Sequence, residues 1–173
     1  MKRLNTPLDA KIIGNLKIGD EVFLSGIIYT CRDQAHKRMV ETLAMKGVLP
    51  FDIRGQVIYY CGPTRAPQGR VIGSCGPTTS NRMDEFVEPL LEAGLKGMVG
   101  KGSRSEGVIK AIRKHKAVYF LTFAGCGALL SRYVKKATCV AYKDLGPEGI
   151  LRLEVEDFPL IVAVDCQGGS IYG

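Results

Sequence analysis

Strand-like apolar segments alternate with helical patterns from the middle of the chain onward, and this alternation constrains the fold more than any other feature. Strands that alternate with helices favour a layered arrangement with substantial parallel pairing. The front third is richer in strands that are joined by turns. The sequence therefore predicts an α/β fold with a mixed, partly parallel sheet, and no linker divides residues 1–173, so we expect a single domain.

Local patterns place the individual elements. Runs of β-branched, aromatic and other apolar residues predict strands at 21–29, 56–61, 71–75, 97–100, 117–123, 138–142 and 159–165. Helical spacing predicts helices from Asp33, which could be the cap, to Gly47, and over 79–93, 103–115 and 124–134. Pro89 is expected to kink or split the second helix, and Ser103 with Glu106 has the spacing of a capping box.

Three polar, glycine-flanked runs interrupt the apolar pattern, at 29–38, 76–83 and 100–105. Each follows a predicted strand, and the second and third lead into predicted helices. Because α/β proteins gather ligand-binding groups at strand ends, the cations of these runs are expected to share one site. Cations beside free backbone N–H groups favour a small anion, so the runs predict binding of a carboxylate or a phosphate.

Charge and hydropathy exclude several classes of protein. The net charge is +7, but the basic residues are scattered, and the densest clusters, 113–116 and 135–136, lie at the ends of predicted elements. With no recognised motif, we expect no nucleic-acid partner. No apolar stretch approaches the ~20 residues that span a bilayer, and the basic N-terminus lacks the apolar core of a signal peptide. The expected location is cytoplasmic.

The six cysteines do not predict a metal site in this chain. None is spaced as Cys-x-x-Cys, and no ferredoxin-like ligand run exists. Cys61, Cys75, Cys139 and Cys166 lie in strand-like runs, where a reduced, buried thiol behaves as a small hydrophobic group. Cys31 lies in a polar turn, and the Gly125–Cys126–Gly127 turn is expected to allow close packing.

Three motifs stand in order along the chain: Thr30-x-Arg32-Asp33-x-Ala35-His36, Gly76-Pro77-Thr78-Thr79-x-x-Arg82-Met83-Asp84 and Gly100-Lys101-Gly102-x-Arg104-Ser105. Together with segments 49–52 and 155–159, they resemble the β subunit of iron–sulfur hydro-lyases, the group of tartrate dehydratases and class I fumarases. The resemblance spans nearly the whole chain.

The resemblance implies a swivelling β/β/α domain and a partner chain. In this family the α subunit supplies three cysteine ligands to a 4Fe-4S cluster, whose open iron acts as a Lewis acid on the substrate hydroxyl. The expected assembly is an α2β2 heterotetramer. The implied activity is fumarate hydratase, with L(+)-tartrate dehydratase as the alternative, and the substrate is a four-carbon dicarboxylate.

The resemblance also implies roles for individual residues. Arg32 and Arg82 are similar to substrate-carboxylate arginines, and Lys101 is similar to an active-site lysine. Thr78 matches a proposed base, although an aliphatic hydroxyl is a very weak acid. It could act in this way only if nearby cations favour its alkoxide. Hydrogen bonding to a carboxylate, or capping of the following helix, is the alternative role. Thr79 is expected to contact substrate.

Three further residues have alternative structural roles. Arg104 either binds substrate or pairs with an acidic residue. Asp33 is expected to cap its helix or to orient Arg32. His36 lies on the apolar face of its helix, which favours a structural histidine over a catalytic acid, with a supporting role next to Arg32.

A stand-alone anion- or nucleotide-binding module is the competing class of function. It would use the turns at Thr78 and Lys101 to bind phosphate. Such a module would bind its ligand without a partner, whereas a hydro-lyase subunit alone would show negligible turnover.

Overall fold

The computed structural model describes all residues from Met1 to Gly173. The strands are β1 (Lys2–Asn5), β2 (Glu21–Thr30), β3 (Val57–Tyr59), β4 (Gly97–Gly100), β5 (Val118–Leu121), β6 (Val134–Ala141) and β7 (Ile150–Val164). The helices are α1 (Ala10–Gly14), α2 (Asp33–Ala44), α3 (Asp84–Glu92), α4 (Glu106–His115) and α5 (Gly127–Leu130). Short 3-10 segments lie at Ser80–Met83, Ser131–Tyr133 and Lys143–Glu148.

All seven strands form one mixed sheet, in the order β1-β2-β3-β4-β5-β7-β6. Strands β1 to β5 are parallel to one another, whereas β7 runs antiparallel to β2, β5 and β6. Because β7 pairs with both β5 and β2, the sheet closes on itself through β2, β3, β4, β5 and β7. The predicted α/β class with a mixed, partly parallel sheet is confirmed.

The two faces of the closed sheet build two separate cores. Side chains alternate across a strand, so Val57 and Tyr59 of β3 face one core and Ile58 faces the other. The first core, of 22 buried residues, is enclosed mainly by the strands. The second, of 21 buried residues, lies against α2, α3 and α4. The three helices therefore cover one face of the sheet. The carboxyl ends of the strands lie at the edge of this face and remain available for a site.

Several predicted element boundaries are wrong. Ser105, not Ser103, caps α4, because its side chain accepts a hydrogen bond from the Val108 N–H. The predicted helix over 79–93 is split, but at Asp84, where the 3-10 turn becomes α3, and Pro89 lies inside α3. The predicted helix over 124–134 is reduced to α5 and a 3-10 turn.

The predicted strand at 71–75 does not form. Its backbone groups bond to other loops, since Thr64 and Ser74 pair with each other and the Cys75 N–H donates to the Gly127 carbonyl. A Cβ on Gly127 would lie 2.2 Å from the Ser74 Oγ, so the expected close packing of the 125–127 turn is present. Strands β6 and β7, by contrast, begin well before the predicted residues.

No helix of the structure has both the length and the apolar composition that crossing a bilayer requires. All six cysteines are free. Cys61, Cys75 and Cys166 are buried as predicted, whereas Cys139 is only half-buried. Cys31, for which no burial was predicted, is also buried. The cytoplasmic location and the absence of a nucleic-acid partner stay predictions.

Candidate active site

The carboxyl ends of β2 to β5 meet at one edge of the sheet, because these four strands are parallel. Arg32 follows β2 and Lys101 follows β4. The pairing continues past the strand ends, since the Cys31 N–H donates to the Tyr59 carbonyl at 3.0 Å. Neighbouring strands are about 4.8 Å apart, so the backbones of Arg32 and Lys101 lie about 10 Å apart, one on each side of β3.

Residues 78–80 lie between the ends of β3 and β4. The Thr78 N–H and hydroxyl both donate to the Tyr60 carbonyl, at 2.8 and 3.0 Å. Half-buried Thr79 pairs with Lys101 in a parallel bridge, and the Ser80 N–H donates to the Lys101 carbonyl at 3.0 Å. The second and third polar runs of the sequence are thus brought together.

Gly100 permits this close approach. A Cβ at position 100 would lie 1.9 Å from the Ser80 Oγ and 2.9 Å from the Tyr60 ring. Only glycine therefore fits beside the segment that carries Thr78 and Thr79.

The Arg32 side chain lies across Gly62, beside the turn that precedes β7. A Cβ on Gly62 would be 2.8 Å from Arg32 Cδ and 3.0 Å from its Nη1. The nearest carboxylate is Glu148, whose Oε1 is 4.0 Å from Arg32 Nε. That Nε is buried and has no hydrogen-bond partner. Arg32 is therefore a cation that is only weakly neutralised.

Asp33 joins the first polar run to the second. Its Oδ2 accepts a hydrogen bond from Arg82 Nη2 at 2.6 Å, while its Oδ1 is buried without a partner. Arg32, not Asp33, occupies the N-cap position of α2, and no side chain caps that helix. Asp33 thus neither caps α2 nor bonds Arg32, and it holds the half-exposed Arg82 instead.

Lys101 is half-buried, and its ammonium forms no ion pair and no hydrogen bond. A cation in this state favours a nearby negative charge, because it is partly removed from water and has no counter-ion. At the same edge of the sheet, Arg32 Nε is buried without a partner, and the Lys101 ammonium has no partner within the protein. The edge is therefore suited to a small anion with more than one carboxylate or phosphate oxygen.

Arg104 does not reach this open edge. Its side chain is fully enclosed, with Nε bonded to Asp84 Oδ1 at 2.8 Å and Nη1 to the Tyr60 hydroxyl at 3.2 Å. Of the two roles expected for Arg104, substrate contact and pairing with an acidic residue, the structure contains the second. Substrate contact by Arg104 stays a prediction without geometric support.

His36 is buried beside the Arg32 backbone. Its Nδ1 lies 2.8 Å from the Arg32 carbonyl and 3.1 Å from Cys31 Sγ. Because a carbonyl only accepts, Nδ1 carries the hydrogen. Burial lowers the pKa of His36 to about 4, and burial also raises the pKa of the Cys31 thiol. Both groups are neutral near pH 7, which fits a structural support of the Arg32 turn.

The candidate site residues lie outside the main cavities of the structure. None of the cavities with volumes of about 320 to 450 Å³ is lined by Arg32, Thr78, Arg82 or Lys101. A cavity of about 390 Å³ lies nearby, between the 63–72 loop and Pro147. A ligand at the edge would remain exposed to water unless another surface covered it.

Sequence reasoning missed Gly62, Tyr60 and Glu148 as residues of the site. Tyr60 and Gly62 follow β3 directly, so their position at the strand end was a usable signal. Glu148 lies far along the chain from Arg32, and only the fold brings the two together.

Metal-ligating side chains do not cluster in the structure. Nowhere do three side chains of His, Cys, Asp or Glu come together so that they could hold a metal ion. A 4Fe-4S cluster with three cysteine ligands therefore does not fit among the residues of this chain.

These features define an α/β protein with a cationic edge where parallel strands end. Residues 2–173 match the family described as Fumarase C-terminus, and the chain belongs to this family. The relatives compared with it carry the names of tartrate dehydratase subunits and fumarate hydratases, which are hydro-lyases. The resemblance found in the sequence is thereby confirmed.

Three relatives illustrate the family. The chain is 41% identical over 171 residues to the "Putative L(+)-tartrate dehydratase subunit beta" of Methanocaldococcus jannaschii, covering 95% of this chain and 88% of that protein. It is 35% identical to the L(+)-tartrate dehydratase subunit beta of Escherichia coli, covering 98% of this chain and 86% of that protein. It is 37% identical to the aerobic class I fumarate hydratase of Escherichia coli, covering 98% of this chain but only 32% of that protein.

Proposed function

We propose that residues 1–173 form the β-type catalytic domain of an iron–sulfur hydro-lyase that acts on a four-carbon dicarboxylate. One observation carries this proposal: Lys101 has no counter-ion, Arg32 has only Glu148 at 4.0 Å, and both cations lie at one edge of the sheet. Arg82 and Thr78 lie in the segment that is inserted at the same edge. A substrate with two carboxylates would satisfy these donors.

The cations have different tasks in this proposal. Arg32 and Arg82 each present a planar guanidinium, which matches a carboxylate with two parallel hydrogen bonds. Lys101 is a compact point charge that stabilises the negative charge that develops when a proton leaves the carbon beside a carboxylate. Thr79 contacts the substrate from the segment that pairs with Lys101.

Thr78 is the proposed proton-transfer residue, and its observed hydrogen bond limits how it can act. The hydroxyl donates to the Tyr60 carbonyl, so it holds its proton in the absence of substrate. To accept a proton, its alkoxide would need the nearby charges of Arg82 and Lys101. In the alternative role, the hydroxyl turns from Tyr60 to a substrate carboxylate.

The proposal requires a second polypeptide. Since a cluster does not fit this chain, we propose that an α subunit carries the 4Fe-4S cluster and covers the open edge, in an α2β2 assembly. The names of two relatives contain the words subunit beta, which supports a separate partner. This chain would supply the carboxylate-binding and proton-transfer residues.

Fumarate is the first candidate substrate and L(+)-tartrate the second. Fumarate hydratases of several organisms match nearly the whole chain, but the chain covers only about a third of their length. The tartrate candidate is favoured by relatives that the chain covers almost completely, at 88% and 86% of their length. No contact within this chain discriminates between the two diacids.

Anaerobic reconstitution with the chain encoded by the neighbouring reading frame tests the proposal. Initial rates are measured with fumarate, malate and L(+)-tartrate, for the wild type and for Lys101→Met. Arg54→Gln is the matched control, because Arg54 forms an exposed ion pair with Asp52 away from the site. We expect turnover of one diacid by the pair, none by this chain alone, and a large loss in Lys101→Met only.

Two results would contradict the proposal. Equal activity of wild type and Lys101→Met would remove Lys101 from the site. Tight binding of phosphate or a nucleotide by this chain alone, with no turnover by the pair, would favour the stand-alone binding module.

A further inference from the structure

Arg104 lies three residues after Lys101, and its guanidinium is enclosed by aromatic rings. The side chain has no solvent exposure. Its central carbon lies 5.2 Å from the ring centroid of Tyr60 and 4.8 Å from that of Tyr119. Cations over such faces are stabilised by the ring quadrupole, more strongly where water is excluded. The guanidinium is therefore held in one place.

The Asp84 carboxylate binds both Arg104 and its neighbour. Oδ1 accepts from Arg104 Nε at 2.8 Å, and Oδ2 accepts from the Ser105 N–H at 2.8 Å. Asp84 is the first residue of α3 and lies two residues after Arg82. One carboxylate thus joins the loop of Lys101 to the segment of Arg82.

Tyr119 makes a second connection between the same two segments. Its hydroxyl lies 2.8 Å from the Gly102 carbonyl, beside Lys101, and 2.8 Å from Ser80 Oγ, two residues before Arg82. The Tyr119 ring is also one of the two that enclose Arg104. The ion pair and this hydroxyl therefore belong to one buried network.

The backbone of Lys101 is paired with residues 79–80, but the loop that follows it begins with a glycine. Gly102 has φ +81°, and no atom lies within 4 Å of its Cβ position. Packing around Gly102 therefore does not restrain the backbone between Lys101 and Arg104. We propose that Arg104 is a positioning residue, which fixes the Lys101 ammonium relative to the Arg82 guanidinium and does not bind substrate itself. The inference rests on the proposed function, because it assigns both cations to one dicarboxylate.

A double-mutant cycle on the assembled enzyme tests this role. The probe is succinate, a four-carbon dicarboxylate that cannot lose water, measured as a competitive inhibitor. We expect Arg104→Gln to weaken succinate inhibition about tenfold, and to add less than about twofold when Lys101→Met is already present. Arg54→Gln, which breaks an exposed arginine–aspartate pair, should change nothing.

The proposal is overturned if the loss of succinate inhibition in the double variant equals the product of the losses in the two single variants. Arg104 would then act independently of Lys101. Where Arg104→Gln does not fold, Tyr119→Phe takes its place, because it keeps the ring and removes only the hydroxyl. Its smaller loss should show the same dependence on Lys101.

Hydrogen exchange of this chain without its partner gives a readout that needs no turnover. We expect the amides of 100–105 and 78–82 to exchange faster in Arg104→Gln and in Tyr119→Phe than in the wild type. Unchanged exchange in both segments would overturn the positioning role. An inactive wild-type pair would contradict the proposed function alone, because the exchange experiment would still decide about Arg104.

Discussion

Gly62 lies under the Arg32 side chain, and an alanine at this position would displace Arg32 without removing it. The added Cβ would lie 2.8 Å from Arg32 Cδ, 3.0 Å from its Nη1 and 3.3 Å from the Pro147 carbonyl oxygen. The backbone of Gly62 has no positive φ, so alanine is not strained there. The substitution therefore acts on the position of one guanidinium.

The size of the displacement follows from ordinary contact distances. Carbon atoms approach to about 3.5–4.0 Å at best, so Arg32 Cδ must move away by about 1 Å. A displacement of about 1 Å at a reacting or binding group can reduce a rate about 100-fold. Because the Arg32 side chain is 26% exposed, it can swing toward solvent, and the free energy of unfolding should change by less than about 1 kcal/mol.

The assay compares kcat/KM of the assembled enzyme with the melting temperature of the chain. Gly62→Ala is expected to lose about 10- to 100-fold in kcat/KM at a nearly constant melting temperature. Gly14→Ala is the matched control, since no atom lies within 4 Å of its Cβ position and its φ is ordinary. The reasoning is refuted if Gly62→Ala keeps full activity while Arg32→Lys loses it.

Three further substitutions test other parts of the site. Arg82→Lys keeps the charge but loses the planar fork, so kcat/KM should fall at least about tenfold, or ~1.4 kcal/mol; an unchanged value would remove Arg82 from carboxylate binding. Thr78→Ser should keep most of the activity and Thr78→Val should abolish it, whereas full activity of Thr78→Val would end the proton-transfer role. Burial lowers the pKa of His36 to about 4 from 6.5, so the unfolded state binds the proton first, and stability should decrease as the pH falls from about 6.5 to about 4. The loss, on the order of 3 kcal/mol at most, should be absent in His36→Gln, and parallel melting curves for both proteins across this pH range would contradict it.

Elements with a strong local signal were predicted well from the sequence. Strand β2, helix α2 and strand β4 appear close to the expected residues, because β-branched runs and helical spacing act within one element. The order of the motifs likewise sufficed to assign the family. These features depend on residues that are near one another in the chain.

Elements that depend on distant partners were predicted poorly. The 71–75 segment has the composition of a strand, but its N–H and C=O groups bond to Thr64 and to the 125–127 turn, so no ladder forms. Strand β7 is longer than its apolar part, because β2 and β6 supply hydrogen-bonding partners to its more polar first half. Composition alone does not reveal such partners.

The same division holds for the site. The amino-acid sequence by itself determined which side chains are candidates for the chemistry and that they follow strands, since strand ends and glycine-flanked runs are local patterns. Only the tertiary structure decided their partners and surroundings: Asp33 pairs with Arg82, Asp84 pairs with Arg104, and Lys101 is left without a counter-ion. The reason is that ion pairs form between residues far apart in the chain, and their geometry exists only once the parallel strands have brought three loops to one edge.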